Sequence, residues 1–117
     1  MAGLVLVVDD QPDIRNVIAA ILSAEGFAVV TAANGREALD RIGAQQPALI
    51  LLDLHMPVMS GWELQAQLRA EASPISVVFM TAGEQACIEA DRNGAAGCLP
   101  KPFELDQLLM VAQRFAG

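Results

Sequence analysis

Apolar positions along the chain follow two periods that take turns. Residues 4–8, 48–52 and 75–80 are short runs without a single charge. Between and after them, apolar side chains return every three or four positions: Ile14, Val17, Ile18, Ile21 and Leu22, then Ala38, Leu39 and Ile42, and finally Leu105, Leu108, Leu109, Ala112 and Phe115. An uncharged run of this length reads as a strand buried on both faces, the condition of a parallel sheet, whereas a three-to-four spacing gives a helix one apolar stripe. The pattern predicts strands over 4–8, 27–31, 48–53, 75–80 and 95–99. Helices are expected over 12–25, from Gly35 onward, over 62–70, over 84–92, and through the last stripe to Phe115.

Punctuation agrees with these boundaries. Pro12 suits a first helical turn, with Asp13 beside it to favour the positive end of the helix dipole. Gly26 stops that helix, and Asn34 is placed to cap the next. Pro57 and Gly61 break the loop after the central strand, and Ser60 is a cap for the helix that follows, with Glu63 in its first turn. Gly94 is the expected stop of the 84–92 helix. Strand and helix alternate five times, which implies a parallel sheet with helices on both faces.

Right-handed crossovers place every strand's carboxyl end on the same edge, and four of those ends are polar: Asp9 with Asp10, Asp53, Thr81, and Lys101 just past the fifth. Strand stability requires none of them, whereas a ligand site at the rim of an open sheet requires such convergence. Three neighbouring carboxylates repel and call for a cation. Mg²⁺ is the natural one, since it is a hard ion that takes oxygen ligands and partners phosphate. Asp9, Asp10 and Asp53 are the candidate ligands, and Asp53 is also placed as a nucleophile toward phosphorus. Mg²⁺, the Lys101 ammonium and the Thr81 hydroxyl could each meet one oxygen of a transferring phosphoryl group. Lys101 is the only lysine in the chain, which suits the role of a compact point charge. His55, the only histidine, reads as an exposed loop residue.

Composition narrows the partners. The chain has 117 residues, 54% of them hydrophobic, and a net charge of −7, so one folded domain over 1–117 is expected and nucleic-acid binding through a basic face is not. No apolar run is long enough to span a membrane and no basic region precedes Leu4, so a cytoplasmic protein is expected. Cys87 and Cys98 make no framework and are expected to be free thiols. Two other chemistries fit less well. A haloacid-dehalogenase-type phosphatase needs an Asp-x-Asp nucleophile motif that Asp9-Asp10-Gln11-Pro12 does not supply. Flavin binding on a similar sheet needs a Ser/Thr/Gly-rich first loop, where this one is acidic.

The residues at the rim resemble those of the receiver domain of bacterial two-component response regulators. The matching segments are Val7-Val8-Asp9-Asp10, Leu51-Leu52-Asp53-Leu54-His55-Met56-Pro57-Val58-Met59-Ser60-Gly61, Met80-Thr81-Ala82, Gly94-Ala95 and Lys101-Pro102-Phe103. The resemblance implies an α/β fold, a flavodoxin-like (βα)5 three-layer sandwich with a five-stranded parallel sheet in the order 2-1-3-4-5. It implies that Asp53 accepts a phosphoryl group from a sensor histidine kinase or phosphotransfer protein, with Thr81 and Lys101 as switch hydroxyl and phosphate-binding lysine. Mg²⁺ would be held by Asp9, Asp10, Asp53 and the backbone carbonyl of His55, with Asp10 the more direct ligand of the acidic pair. Such a domain is not an enzyme on a separate substrate: it promotes only its own phosphorylation and dephosphorylation. It switches the binding of a downstream effector, and a homodimer can form through the face of the fourth helix, fifth strand and fifth helix. A cis Lys101-Pro102 peptide is implied as well. One position departs from the pattern. Three residues before the lysine, where the family usually has Tyr or Phe, stands Cys98. A thiol cannot fill the space an aromatic ring fills, so the switch is expected to run through residues 82–92 with little rearrangement at Cys98.

Overall fold

The computed structural model describes residues 3–54, 56 and 58–117. The elements are β1 (Leu4–Val8), α1 (Pro12–Ala24), β2 (Ala28–Ala32), α2 (Gly35–Ala44), β3 (Leu49–Asp53), α3 (Gly61–Ala70), β4 (Ser76–Thr81), α4 (Glu84–Arg92), β5 (Gly97–Pro100) and α5 (Leu105–Ala116). The strands form one five-stranded parallel sheet in the order β2-β1-β3-β4-β5. This is the flavodoxin-like (βα)5 order that the resemblance implies.

Side chains alternate across the sheet and divide the core in two. Val5, Val7, Leu49, Leu51, Val78, Met80 and Leu99 face Ile18 and Leu22 of α1 and Leu108 and Ala112 of α5. Leu6, Val8, Ile50, Leu52, Val77 and Phe79 face Ala38 of α2, Leu64 and Leu68 of α3, and Ala90 of α4. Both faces of β1 and β3 are therefore covered, which is why these strands read as unbroken apolar runs rather than alternating ones. Leu49, Ile50, Leu51 and Leu52 are all 0% exposed. Burial at roughly 25 cal/mol per Å² of apolar surface makes these two strands, with the equally buried Val78, Phe79 and Met80 of β4, a large part of what stabilises the fold.

The helix ends form as their residues dictate. The Asn34 side chain accepts from Glu37 N at 2.9 Å, and Ser60 with Glu63 makes a reciprocal capping box at the start of α3. Caps of this kind stabilise a helix by about 1 kcal/mol each. Three strands, β2, β4 and β5, lie slightly later than the pattern predicts, β4 by one residue. After the turn at Gly26 (φ +93°), Phe27 N donates to Leu22 O and closes α1, and the Phe27 ring packs into the α1/α5 core, so β2 begins at Ala28. Likewise Ala95 N donates to Ala90 O to close α4 around Gly94 (φ +80°), and β5 begins only at Gly97.

The two cysteines are not free thiols. Cys87 of α4 and Cys98 of β5 form a disulfide, with Cα atoms 5.5 Å apart. The tight turn between them folds β5 back along α4 and brings positions eleven apart in sequence to bonding separation. Cysteine number and compartment point to free thiols, but proximity across the α4–β5 packing decides the pairing.

Candidate functional site

The carboxyl ends of β1, β3, β4 and β5 meet at one rim. Asp9 directly follows β1 and is 0% exposed; Asp53 is the last residue of β3 and is 9% exposed. Asp10 stands beside them, open to solvent. Carboxylate oxygens of these three residues lie within 4.8 Å of one another. Lys101 follows β5 and reaches back over the rim. Its Nζ lies 3.1 Å from Asp9 Oδ2 and 3.5 Å from Asp53 Oδ1, with the side chain 23% exposed. The ammonium thus bridges two strands that are not neighbours of its own.

Thr81 ends β4 and is 4% exposed. It joins the site through its backbone, because Lys101 N donates to Thr81 O and so ties the end of β5 to that of β4. The Lys101-Pro102 peptide is cis, as the resemblance implies. Asp9, Asp10, Asp53 and Lys101 are brought together as the sequence predicts. His55, whose carbonyl is a candidate metal ligand, lies outside the described residues.

Several residues shape the site that spacing alone did not single out. Gln11 N donates to Asp9 Oδ1 at 2.9 Å, and Arg15 Nη1 donates to the Asp9 carbonyl at 2.9 Å. Asp9 therefore has one carboxylate oxygen on a backbone amide and the other on Lys101, which fixes its orientation. Gly61 packs so closely on the backbone of Asp53 and Leu54 that no side chain fits there. Trp62, the second residue of α3, has its ring centroid 5.0 Å from that of Phe79.

The donor set suits a hard divalent cation. It offers carboxylate oxygens only, and with one ammonium against three carboxylates it carries two uncompensated negative charges when fully ionised. Without such a cation, burial pushes the Asp53 carboxyl above its ordinary 3.8; Lys101 opposes that shift, and the charges of Asp9 and Asp10 add to it. A raised folded-state pKa means that the native protein binds more protons than the unfolded chain. The associated stability is full below 3.8 and is lost as pH rises through the raised folded value. In metal-free buffer at neutral pH, Asp53→Asn is therefore expected to raise Tm by a few degrees. The gap should close as pH is lowered toward 4, a trend that paired thermal melts in EDTA will show. A variant less stable than wild type at neutral pH would contradict this account.

The family profile described as the response regulator receiver domain matches residues 5–113. The chain belongs to this family. Among curated relatives, the receiver domain is 35% identical to the DNA-binding transcriptional regulator NtrC of Escherichia coli K12 over 114 residues, covering 96% of this chain and 24% of that protein. It is 34% identical to sporulation initiation phosphotransferase F of Bacillus subtilis 168, covering 95% of this chain and 91% of the relative. The chain thus spans about a quarter of the NtrC relatives and nearly all of the phosphotransferase. Solved receiver folds superpose closely. NtrX from Brucella abortus gives a TM-score of 0.91 at 34% identity, covering 98% of this chain and 27% of that one. Chemotaxis protein CheY4 of Vibrio cholerae gives 0.88 at 34% identity, covering 98% and 99%.

Proposed function

We propose that this receiver domain is a phosphoacceptor in a two-component phosphorelay: Asp53 takes a phosphoryl group from a phosphohistidine of a sensor histidine kinase or phosphotransfer protein, and the change alters binding to a downstream effector. The observation that carries this reading is the placement of Lys101 Nζ between the carboxylates of Asp9 and Asp53 on the rim. An Asp53 oxygen attacks phosphorus as the bond to the imidazole nitrogen breaks, and the electron pair of that bond leaves with the donor ring. Lys101, already at the Asp53 oxygen, neutralises charge on the incoming group. Asp9, immobilised by Gln11 and Lys101, keeps the ammonium aimed. Thr81 offers a hydroxyl from the neighbouring strand end.

Asp9, Asp10 and Asp53 would hold Mg²⁺, together with the backbone carbonyl of His55. When bound, the ion supplies charge neutralisation between carboxylates and phosphoryl oxygens. An apolar groove of about 580 Å³, lined in part by Ile14, Val17, Ile18 and Phe103, runs from α1 past Lys101 and offers the phosphodonor protein a surface beside the acceptor. The effector, or a second copy of the chain, would read the α4–β5–α5 face. Such a domain acts on its own aspartyl phosphate and not on a separate substrate. Incubation with Mg²⁺ and acetyl phosphate or phosphoramidate, followed by intact mass measurement, should show a single added phosphoryl group. No addition over a range of donors and metal concentrations would overturn the reading.

Metal affinity should depend on Asp10 and not on the His55 imidazole, which is a poor ligand for a hard ion. Trp62 fluorescence is the readout, and Asp10→Asn should weaken Mg²⁺ by about tenfold or more, since a carboxylate ligand on this ion becomes a neutral amide. His55→Ala should titrate like wild type. The opposite ranking would mean that the ligands are wrongly assigned.

Lys101→Arg tests the ammonium. The guanidinium is larger and planar and cannot occupy the point between Asp9 and Asp53 as a compact charge does. Phosphorylation of that variant should proceed, but the chemical-shift changes that accompany it in wild type should largely disappear. Wild-type-like shifts in Lys101→Arg would contradict the assignment.

A further inference from the structure

We propose that Cys87 and Cys98 form a redox site, a reversible disulfide that pins α4 to β5 when oxidised and releases α4 when reduced. The placement of the bond carries the inference. Of the nine residues of α4 only Ala90 is buried, and the helix starts from Gly83 (φ +125°) without a side-chain cap. In α3, by contrast, Gly61, Leu64, Gln65 and Leu68 are buried and a capping box closes the first turn. With so little apolar anchoring, α4 belongs to the part of the fold that opens most readily. The disulfide joins the middle of this weak helix to a four-residue edge strand. Both cysteines are partly exposed, so a small thiol can reach the bond from solvent.

The bond also lies on the path to the rim. Cys98 pairs in register with Phe79, two residues before Thr81, and Pro100 pairs with Thr81 itself. Leu99 faces the α1/α5 core and Phe79 the α2/α3/α4 core, so strand alternation puts Cys98 and Thr81 on the α4 side of the sheet. A tether here limits how far residues 82–92 can travel, and that consequence rests on the phosphorylation reading above.

The chemistry is thiol–disulfide exchange with a small-molecule thiol such as glutathione or dithiothreitol. A thiolate attacks one protein sulfur, the other protein sulfur leaves as thiolate, and a mixed disulfide forms. A second thiol then displaces the second protein sulfur. Two thiols are oxidised to one disulfide, two electrons reduce the protein bond, and the two thiol protons end on Cys87 and Cys98. Oxidised glutathione drives the reverse reaction.

Alkylation read by intact mass tests the couple itself. The oxidised protein should take up no alkylating agent, the reduced protein two equivalents, and oxidised glutathione should restore the unreactive form. Alkylation of both thiols without reductant, or failure to re-form the bond, would overturn the proposal. Hydrogen exchange on the unphosphorylated chain tests the release. Closing a loop of eleven residues in sequence restricts local opening, so reduction should speed exchange of the α4 amides by about tenfold or more. Exchange in β1 and β3 should stay unchanged. The Cys87→Ser, Cys98→Ser double variant should match the reduced protein in either buffer; wild type with and without dithiothreitol supplies the same comparison without any substitution. Equal α4 exchange in the two redox forms would overturn the release. Beryllofluoride with Mg²⁺ then tests the coupling, and the response of residues 82–92 should be larger in the reduced form. An equal response in both forms would remove the coupling and leave the phosphorylation reading intact. No response in either form would remove that reading and the coupling with it, while the exchange difference still decides the redox site.

Discussion

Asp53→Asn is expected to take up no phosphoryl group from any donor. The substitution is nearly isosteric and leaves Lys101 paired with Asp9 at 3.1 Å, so the rim keeps its shape and one Asp53 oxygen is exchanged for an amide nitrogen. What is lost is the nucleophile, because the amide carries no charge and its nitrogen lone pair is delocalised into the carbonyl. The other two rim carboxylates cannot easily substitute. Asp9 is fully buried, with its oxygens taken by Gln11 N and Lys101 Nζ. Asp10 is exposed, and among the described residues the Lys101 ammonium pairs with Asp9 and Asp53 instead. Intact mass after incubation with Mg²⁺ and acetyl phosphate is the measurement. Wild type should gain one phosphoryl group and Asp53→Asn none. Undiminished labelling of the variant would move the acceptor to another residue. A thermal melt of the variant in the same Mg²⁺ buffer separates loss of the nucleophile from loss of the fold.

Gly61→Ala is expected to be among the most destabilising single-methyl additions in the chain. A Cβ at this position would meet the Asp53 carbonyl oxygen at 2.5 Å, Leu54 Cα at 3.0 Å and Phe79 Cε1 at 3.1 Å. Two of these atoms are backbone, one in the last residue of β3 and one in the residue after it, so they cannot withdraw without displacing Asp53. The Phe79 ring is 0% exposed and packs on Trp62, so it has no free space to enter either. Overpacking of a rigid site costs about 1–3 kcal/mol and sometimes more. For a domain of this size each kcal/mol lowers Tm by roughly 4 °C, so a fall of about 4–12 °C is expected. Gly43 is the control. It lies exposed in α2 with nothing within 4 Å of an added Cβ, and Gly43→Ala should raise Tm slightly through helix propensity. Thermal denaturation of the two variants side by side decides the matter. A Gly61→Ala protein that melts with wild type would show that β3 yields where the packing says it cannot.

Much of this arrangement is legible in the order of residues alone. The bounds of β1 and α4 match the predicted spans, and Asn34 and Ser60 cap where their sequence context says they should. Convergence of Asp9, Asp10, Asp53 and Lys101 follows from two facts about chains in general: parallel strands need crossovers, and crossovers in one sheet share a hand. The ends of β2 and β5 were displaced because Phe27 and Ala95 spend their amides on closing the preceding helix, a choice that only the turn geometry reveals. Gly61 reads in the sequence as a loop breaker. Its stricter role, contact with the Asp53 backbone, depends on how α3 seats against β3 and Phe79.

By itself the sequence determined the alternation of strands and helices, the polar ends of four strands, and the family to which they point. These are set by spacing, and periodicity is a local property of the chain. The tertiary structure decided three things. It paired Cys87 with Cys98, left the Asp53 carboxyl raised in its affinity for a proton, and immobilised Asp9 between Gln11 and Lys101. Each depends on a distance between atoms of different elements, or on how much water reaches a group once those elements pack. Residue order does not carry either quantity; the fold creates both.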